Sequence, residues 1–364
     1  LLERYRPDPP EVELDVKEDL AALPYTSGTT GRPKGVMLTH YNLLANWRQF
    51  RDGIAVSERD IILIFLPFYH IYGSMLMGGA IYAGATQVLM ERFAPLETLE
   101  LIERYRPTIL YVVPPALLAL INVENLADYD LSSLNYIVSA AAPLPKEVAE
   151  AAMRKIGVTV LQGYGLTETS PVTHANPLGK IKLESIGPPV SDTEHKIVDL
   201  VTREELRPGK VGELAIKGPQ VMKGYWKRPE DTEEVFLGEW FLTGDVAWID
   251  DENYAYIVDR AKDMIKYKGF SIGPAELEDV LFEHEVVKDC AVIGRPDPEA
   301  GEIPKAFVVA RGEVTAEELM EFVAERVAGY KKIREIEFVE AIPKSPSGKI
   351  LKRELVERSR LSHH

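Results

Sequence analysis

Between Asp60 and Gln162 the chain alternates between two hydrophobic periodicities. Short apolar runs rich in β-branched residues, IILIFLP, TQVLM, TILYVV, NYIVSA and VTVLQ, have the length and composition of buried strands. Helical spacing fills the gaps: PLETLELIERY begins with Pro95 at a first-turn position, and PKEVAEAAMRKIG is closed by Gly157. This alternation predicts a parallel sheet with helices on its faces. From about Ser185 to Tyr256 the pattern shifts to short strands between Gly and Pro turns, as in GKVGELAIKGPQ, which predicts a barrel-like β subdomain. It shifts again beyond Arg260. PAELEDVLFEHE puts Leu277, Val280 and Leu281 on one helical stripe, and TAEELMEFVAERVAG opens with a Thr315–Glu318 capping box and closes at Gly329. CAVIG and KAFVVA run between these helices, giving a small α+β domain. The expected fold class is α/β: a parallel-sheet α/β subdomain plus a barrel-like β subdomain over residues 1–261, then the small α+β C-terminal domain over 262–360. Residues 361–364, ending in SHH, read as a purification-tag remnant.

Composition narrows the function classes. The chain has 364 residues, is 46% hydrophobic, and carries a formal net charge of −15, which argues against general binding to nucleic acid or to anionic membranes. No apolar run reaches the ~18 residues of a membrane-spanning helix, and the start, LLERYRPDPPEVE, lacks a signal-peptide pattern. Cys290 is the sole cysteine, so no intrachain disulfide forms; inside DCAVIG it reads as a small core residue. Together these features predict a cytoplasmic protein.

The candidate chemistry starts at PYTSGTTGRPKGVMLTH, from Pro24 to His40. The loop of common NTPases needs a Ser or Thr directly after its Lys, and here Gly35 follows Lys34. The phosphate logic nevertheless survives. Thr26, Ser27, Thr29 and Thr30 supply hydroxyls, Gly28 and Gly31 permit close backbone approach, and Lys34 adds a positive charge.

Behind this loop come LPFYHIYG, SAAAPLP, QGYGLTETSP, WFLTGD, DRAKDMIKYKGFSIGPAELE and PKSPSGKILKREL, in that order. With TSGTTGRPKG, this series resembles the adenylate-forming superfamily of acyl-CoA synthetases, firefly-type luciferases and peptide-synthetase adenylation domains, most of all a fatty-acid–CoA ligase. The resemblance implies a large N-terminal domain, here partial, and a small mobile C-terminal domain. It also implies ATP, Mg²⁺ and CoA as cofactor and co-substrates, with a small carboxylic acid as the other partner. Glu168 matches the Mg²⁺ ligand and Thr167 a hydroxyl on the α-phosphate, while Tyr164 matches the aromatic that stacks on adenine. Ala141 matches a backbone adenine contact where many relatives have Gly. Asp245 and Arg260 match the pair on the ribose hydroxyls, and His70 matches a gate to the carboxylate pocket. Lys349 matches the C-terminal lysine that reaches the acyl and phosphate oxygens. Lys262 matches the hinge about which the small domain swings, bringing up Lys266, Lys268 and Gly269 for the CoA step.

The family normally carries a substantial part of its first domain ahead of the phosphate loop, so the resemblance also implies an N-terminally truncated chain. Truncation would uncover apolar faces, and self-association into a homo-oligomer is expected. HIYGSMLMGGAIYAG is read as the acid-pocket wall, with Met75, Leu76 and Met77 beside the small Gly78 and Gly79. It points to a fatty or aryl acid, and among these to a medium- or long-chain fatty acid. The expected activity is therefore ATP-dependent formation of an acyl-AMP followed by thioester formation with CoA. The alternatives are a carrier-protein-loading or luciferase-like enzyme, or a catalytically inactive ATP-binding fragment.

Overall fold

The computed structural model describes residues 11–26, 33–345 and 350–361. At its front, strands β1 (Leu20–Ala22) and β2 (Tyr25–Thr26) both pair antiparallel with β3 (Lys34–Thr39). Helix α1 (His40–Gly53) follows directly. Thr39 and Asn42 form a reciprocal capping box there, which satisfies two otherwise orphaned backbone donors.

The region of alternating periodicity folds as β4 (Ile61–Ile64), α2 (Ile71–Ala83), β5 (Thr86–Leu89), α3 (Pro95–Tyr105), β6 (Ile109–Val112), α4 (Pro114–Ile121), β7 (Tyr136–Ser139), α5 (Lys146–Ile156), β8 (Thr159–Gly165) and β9 (Val172–Ala175). Its sheet runs in the order β5–β4–β6–β7–β8–β9; the first five strands are parallel and β9 returns antiparallel to β8. Every residue of β6 and β7 is buried, as strands covered on both faces require. Pro95 opens α3 and Gly157 ends α5 in the left-handed region at φ 83°, both where the sequence places them.

Glycine has a specific use in α2. A Cβ on Gly73 would stand 2.3 Å from the Pro67 carbonyl oxygen, and one on Gly78 would stand 2.3 Å from the Trp47 ring. Gly73 thus lets α2 start close against the Leu66–Pro67 backbone, while Gly78 and Gly79, facing Trp47 and Phe50, let α2 lie close against α1 and serve helix packing.

The next segment contains β10 (Glu194–Val198), β11 (Gly212–Lys217), β12 (Gly224–Tyr225), α6 (Pro229–Glu234), β13 (Phe236–Leu237), β14 (Trp240–Ile249) and β15 (Ala255–Arg260). Five of these strands form an antiparallel sheet, β10–β11–β14–β13 with β15 on β14. β12 leaves that sheet and pairs with β3, Gly224 opposite Met37 and Tyr225 opposite Val36. That crossover carries α6 to the start of β3 and to Lys34.

Beyond Arg260 come β16 (Ile265–Tyr267), β17 (Phe270–Ile272), α7 (Pro274–Phe282), β18 (Val287–Asp297), β19 (Gly301–Ala310), α8 (Ala316–Ala324), β20 (Glu335–Phe338) and α9 (Lys352–Leu361). The sheet order is β17–β16–β19–β18, with β20 parallel to β19. Leu277 and Leu281 of α7 are fully buried, as their stripe predicts, and so is Cys290. The Thr315–Glu318 capping box forms as expected. α8 ends at Ala324, ahead of Gly329; beyond it the backbone tightens into i→i+3 turns, as from the Arg326 N–H to the Val323 carbonyl, and the Arg326 guanidinium donates to the Phe322 carbonyl. α9 runs through Leu361, taking in the first of the four residues set apart as a tag remnant.

Separate apolar cores serve these regions. One spans Phe50 to Leu161, another fills the antiparallel sheet from Ile186 to Ala255, and two more lie wholly beyond Ile265.

Candidate functional site

A cavity of about 400 Å³ opens where the parallel sheet, the antiparallel sheet and the β3–β12 pair converge. At one side of it, Thr26 and Lys34 sit directly opposite each other on β2 and β3, and both line the cavity. The strand pair thus closes the base of the hydroxyl-rich loop. Ser27, Gly28, Thr29, Thr30 and Gly31 lie outside the described residues, as does Lys349.

Lys34 is only 7% exposed and pairs with Asp231 of α6 at 2.5 Å, with the Tyr225 ring 4.9 Å from its Nζ. The Lys34 contact is the main reason the Asp231 carboxyl is held below its ordinary pKa. A buried ammonium needs such a counter-charge. Sequence reasoning missed Asp231, which is 197 positions away along the chain.

Thr167 and Glu168 lie in the short 3₁₀ turn that follows β8, and both line the cavity. The turn is tight: a Cβ on Gly165 would meet the Pro171 carbonyl oxygen at 2.0 Å, so only glycine fits. Glu168 is 9% exposed, and its Oε1 accepts a 2.8 Å hydrogen bond from the Tyr225 hydroxyl. Burial, then the Glu168 charge, raises the Tyr225 pKa, so the phenol stays protonated and keeps donating. A lone, oriented carboxylate fits a Mg²⁺ whose other ligands are phosphate oxygens and water.

Across the cavity, the Tyr164 hydroxyl donates to Asp245 Oδ2 at 2.6 Å, while Arg260 Nε meets Asp245 Oδ1 at 2.9 Å. Register fixes the second contact, since Asp245 on β14 faces Arg260 on β15. Burial acts most strongly and lowers the Arg260 pKa, but Asp245, Tyr164, Asp263 and Glu168 together outweigh it and raise the net value. Tyr164 and Arg260 line the cavity; Asp245 stands behind them, 4% exposed, with both oxygens engaged. A ribose reaching Asp245 therefore competes with, or joins, these bonds. The His174 ring lies edge-on to Tyr164 with centroids 5.9 Å apart, and His174 Nε2 is 2.9 Å from His195 Nδ1. Burial lowers both histidine pKa values, favouring a neutral pair.

Ala141 lines the cavity at φ 72°, a conformation that glycine takes freely and alanine takes at a cost of roughly 1–2 kcal/mol. His70 also lines it. Its Nδ1 accepts from the Tyr72 N–H at 3.2 Å, capping α2, a structural task that the sequence did not disclose. Of the expected acid-pocket wall, His70, Ile71, Tyr72 and Met75 reach the cavity. Leu76, Met77, Gly78 and Gly79 do not line it; the two glycines face Trp47 and Phe50 of α1.

Lys262 lines the cavity at the start of the C-terminal region, but Lys266 and Gly269 do not. Both are exposed on the β16–β17 hairpin, where Lys266 Nζ donates to Ser271 Oγ at 2.7 Å and Gly269 makes the turn at φ 85°.

Carboxylates cluster at the junction between the two parts, with Lys352 among them at 3.0 Å from Glu278. Partial removal from water, then the charges of Glu278, Glu147, Glu184 and Asp259, push the Asp279 carboxyl up to about 7. Such a group penalises the native state as pH rises from the unfolded value near ~3.9 through its folded value, and the penalty is complete above it. Asp279 keeps contact with solvent, so the effect is discounted to about 1 kcal/mol. Asp279→Asn is expected to raise the thermal midpoint by about 2–4 °C near pH 8 and by less near pH 5, as read by scanning calorimetry at both values.

Comparison with known proteins places this geometry. Residues 2–226 match the AMP-binding enzyme family model, and residues 276–349 match the model of the AMP-binding enzyme C-terminal domain. A 4-coumarate–CoA ligase from Pinus taeda is 44% identical over 95% of this chain and 66% of its own length. A long-chain-fatty-acid–CoA ligase from Bacillus subtilis is 42% identical over 97% of this chain and 64% of its own. The solved structure of ATP-bound MatB from Rhodopseudomonas palustris superposes with a TM-score of 0.91 at 31% identity, covering 96% of this chain and 70% of that one. The chain thus spans about two thirds of the length of the curated relatives it matches.

Proposed function

The chain belongs to the AMP-binding enzyme family, and from that premise we propose that it joins a carboxylic acid to CoA using ATP. The observation that carries this reading is the convergence of Lys34, Glu168 and the Tyr164–Asp245–Arg260 group around one cavity. The substrate carboxylate oxygen attacks the α-phosphorus of ATP, the acyl–phosphate bond forms, and pyrophosphate leaves with the electrons of the bond that breaks. The CoA thiol then gives up its proton and attacks the acyl carbon, and AMP leaves with the C–O electrons.

On this reading each residue has a task. Lys34 exchanges Asp231 for phosphate oxygens. Glu168, oriented by Tyr225, would hold Mg²⁺, which would supply positive charge against the negative charge of the phosphates. Thr167 donates to the α-phosphate, Ala141 offers backbone to adenine, and Tyr164 lies against the base. Asp245 and Arg260 hold the ribose, and His70 gates the acid. Lys349 meets the developing charge between acid and phosphate.

The chain divides near residues 261 and 262, with Lys262 as hinge. Separate cores on either side support a C-terminal part that moves as a unit. Its rotation would bring Lys266 and Gly269 to the cavity for the CoA step. No helix among the described residues is long and apolar enough to cross a membrane. Release of pyrophosphate from Mg-ATP that depends on an added carboxylic acid, with AMP as the nucleotide product, tests the proposal; ADP as the product would overturn it.

A further inference from the structure

The Asp245 carboxylate is aimed by an irregular stretch of β14. Between Val246 and Leu242 the register with β11 jumps, so that Thr243, Gly244 and Asp245 stand against Leu214 alone. Such a bulge leaves backbone groups without ladder partners. Side chains answer several of them here. The Thr243 hydroxyl donates to the Leu214 carbonyl at 2.8 Å and accepts from the Asp245 N–H at 3.1 Å. Gly244, at φ 73°, offers its carbonyl to the Ala261 N–H at 2.9 Å and donates its own N–H to Glu213 Oε1, also at 2.9 Å.

Glu213 is 6% exposed and lines the cavity, a poor place for a carboxylate when the ligand is a polyphosphate. Arg203 pairs with its Oε2 and lines the cavity beside it. That guanidinium comes from the turn between β10 and β11, where the backbone is strained. Asp199 Oδ1 accepts from the Val201 and Thr202 N–H groups, both at 2.8 Å, and the tight turn holds Arg203 at φ 62°. Glycine takes that conformation freely and arginine does not. Turn geometry alone favours glycine at this position, and the guanidinium is what arginine adds. On the reading that this cavity receives ATP, we propose that Glu213 is a positioning residue that aims Asp245 at the ribose through the Gly244 amide, and that Arg203 masks the Glu213 charge from the phosphates.

The test is calorimetric binding of Mg-ATP and of uncharged adenosine to the wild type and to variants of the two residues. Arg203→Gly should bind Mg-ATP roughly tenfold more weakly and adenosine as the wild type does, since only the phosphates feel the bared carboxylate. Adding Glu213→Gln to it should restore Mg-ATP binding to within about twofold of the wild type. Glu213→Leu alone should weaken adenosine roughly fivefold, because Gly244 loses its acceptor, while Glu213→Gln alone, which keeps one, should not. Mg-ATP binding unchanged in Arg203→Gly, equal loss of both ligands there, a double variant as weak as Arg203→Gly, or adenosine binding unchanged in Glu213→Leu would each overturn the proposal. Turnover separates this idea from the ligase reading. The expected binding pattern without acid-dependent pyrophosphate release would uphold the roles of Glu213 and Arg203 and count against the ligase, while release without that pattern would sink this proposal alone. A wild type that binds neither ligand would overturn both.

Discussion

Glu168→Gln is expected to slow acid-dependent pyrophosphate release by roughly 100- to 1,000-fold, the range seen when one preorganised electrostatic group is removed from an active site. The substitution is chosen to change charge alone. Glutamine matches glutamate in shape, and its amide oxygen can still accept the 2.8 Å bond from Tyr225. The backbone bond from the Met222 N–H to the Glu168 carbonyl is untouched. The thermal midpoint should therefore stay within a degree or two of the wild type, and the Mg²⁺ concentration needed for half-maximal ATP binding should rise. Wild-type rates in the variant would show that the carboxylate has no part in holding the metal. A large fall in midpoint would instead assign Glu168 to the fold.

The second large effect is on stability. Asp231→Asn is expected to cost about 3 kcal/mol in urea denaturation, because it leaves the Lys34 ammonium buried without its counter-charge. The pair is well inside the surface, with side chains 8% and 18% exposed, so the ~0–1 kcal/mol usual for surface ion pairs does not apply. Two further measurements separate charge from packing. Lys34→Met combined with Asp231→Asn should recover most of the loss, since no isolated charge then remains. Saturating Mg-ATP should shrink the deficit of the single variant, because phosphate oxygens take the place of the lost carboxylate. A loss below about 0.5 kcal/mol would mean that Lys34 reaches water freely and the pair behaves as an exposed one.

The parallel sheet was legible because its strands are short apolar runs bounded by turn residues, and Ile62, Leu63, Ile109 and Ile137 are indeed fully buried. Local signals with a direct physical cause were equally readable: the Gly157 helix end, the Thr315–Glu318 box and the small buried Cys290. Among the described residues, most of the site residues read from motifs line one cavity. What stayed hidden depends on pairings that no local pattern encodes. β12 leaves one sheet to pair with β3, and only that crossover sets Tyr225 against Glu168 and Asp231 against Lys34. Gly78 and Gly79 looked like room for a substrate, whereas the space beside them is filled by Trp47 and Phe50. The resemblance places Asp245 and Arg260 on the ribose hydroxyls, and nothing local in the sequence shows that Tyr164 and Arg260 already hold the Asp245 carboxylate. Lys266 and Gly269 belong to the right motif but lie away from the cavity, since their position depends on how the two parts of the chain are arranged rather than on local sequence.

The central claim is that this chain adenylates a carboxylic acid, and pyrophosphate release from Mg-ATP tests it most directly. It would be followed without acid and with a series of aryl and fatty acids, with Lys349→Ala alongside. The account predicts release that requires an acid, yields AMP, and falls to background in Lys349→Ala. ATP binding without release for any acid would contradict it, and the cavity would then be a nucleotide site that does not turn over.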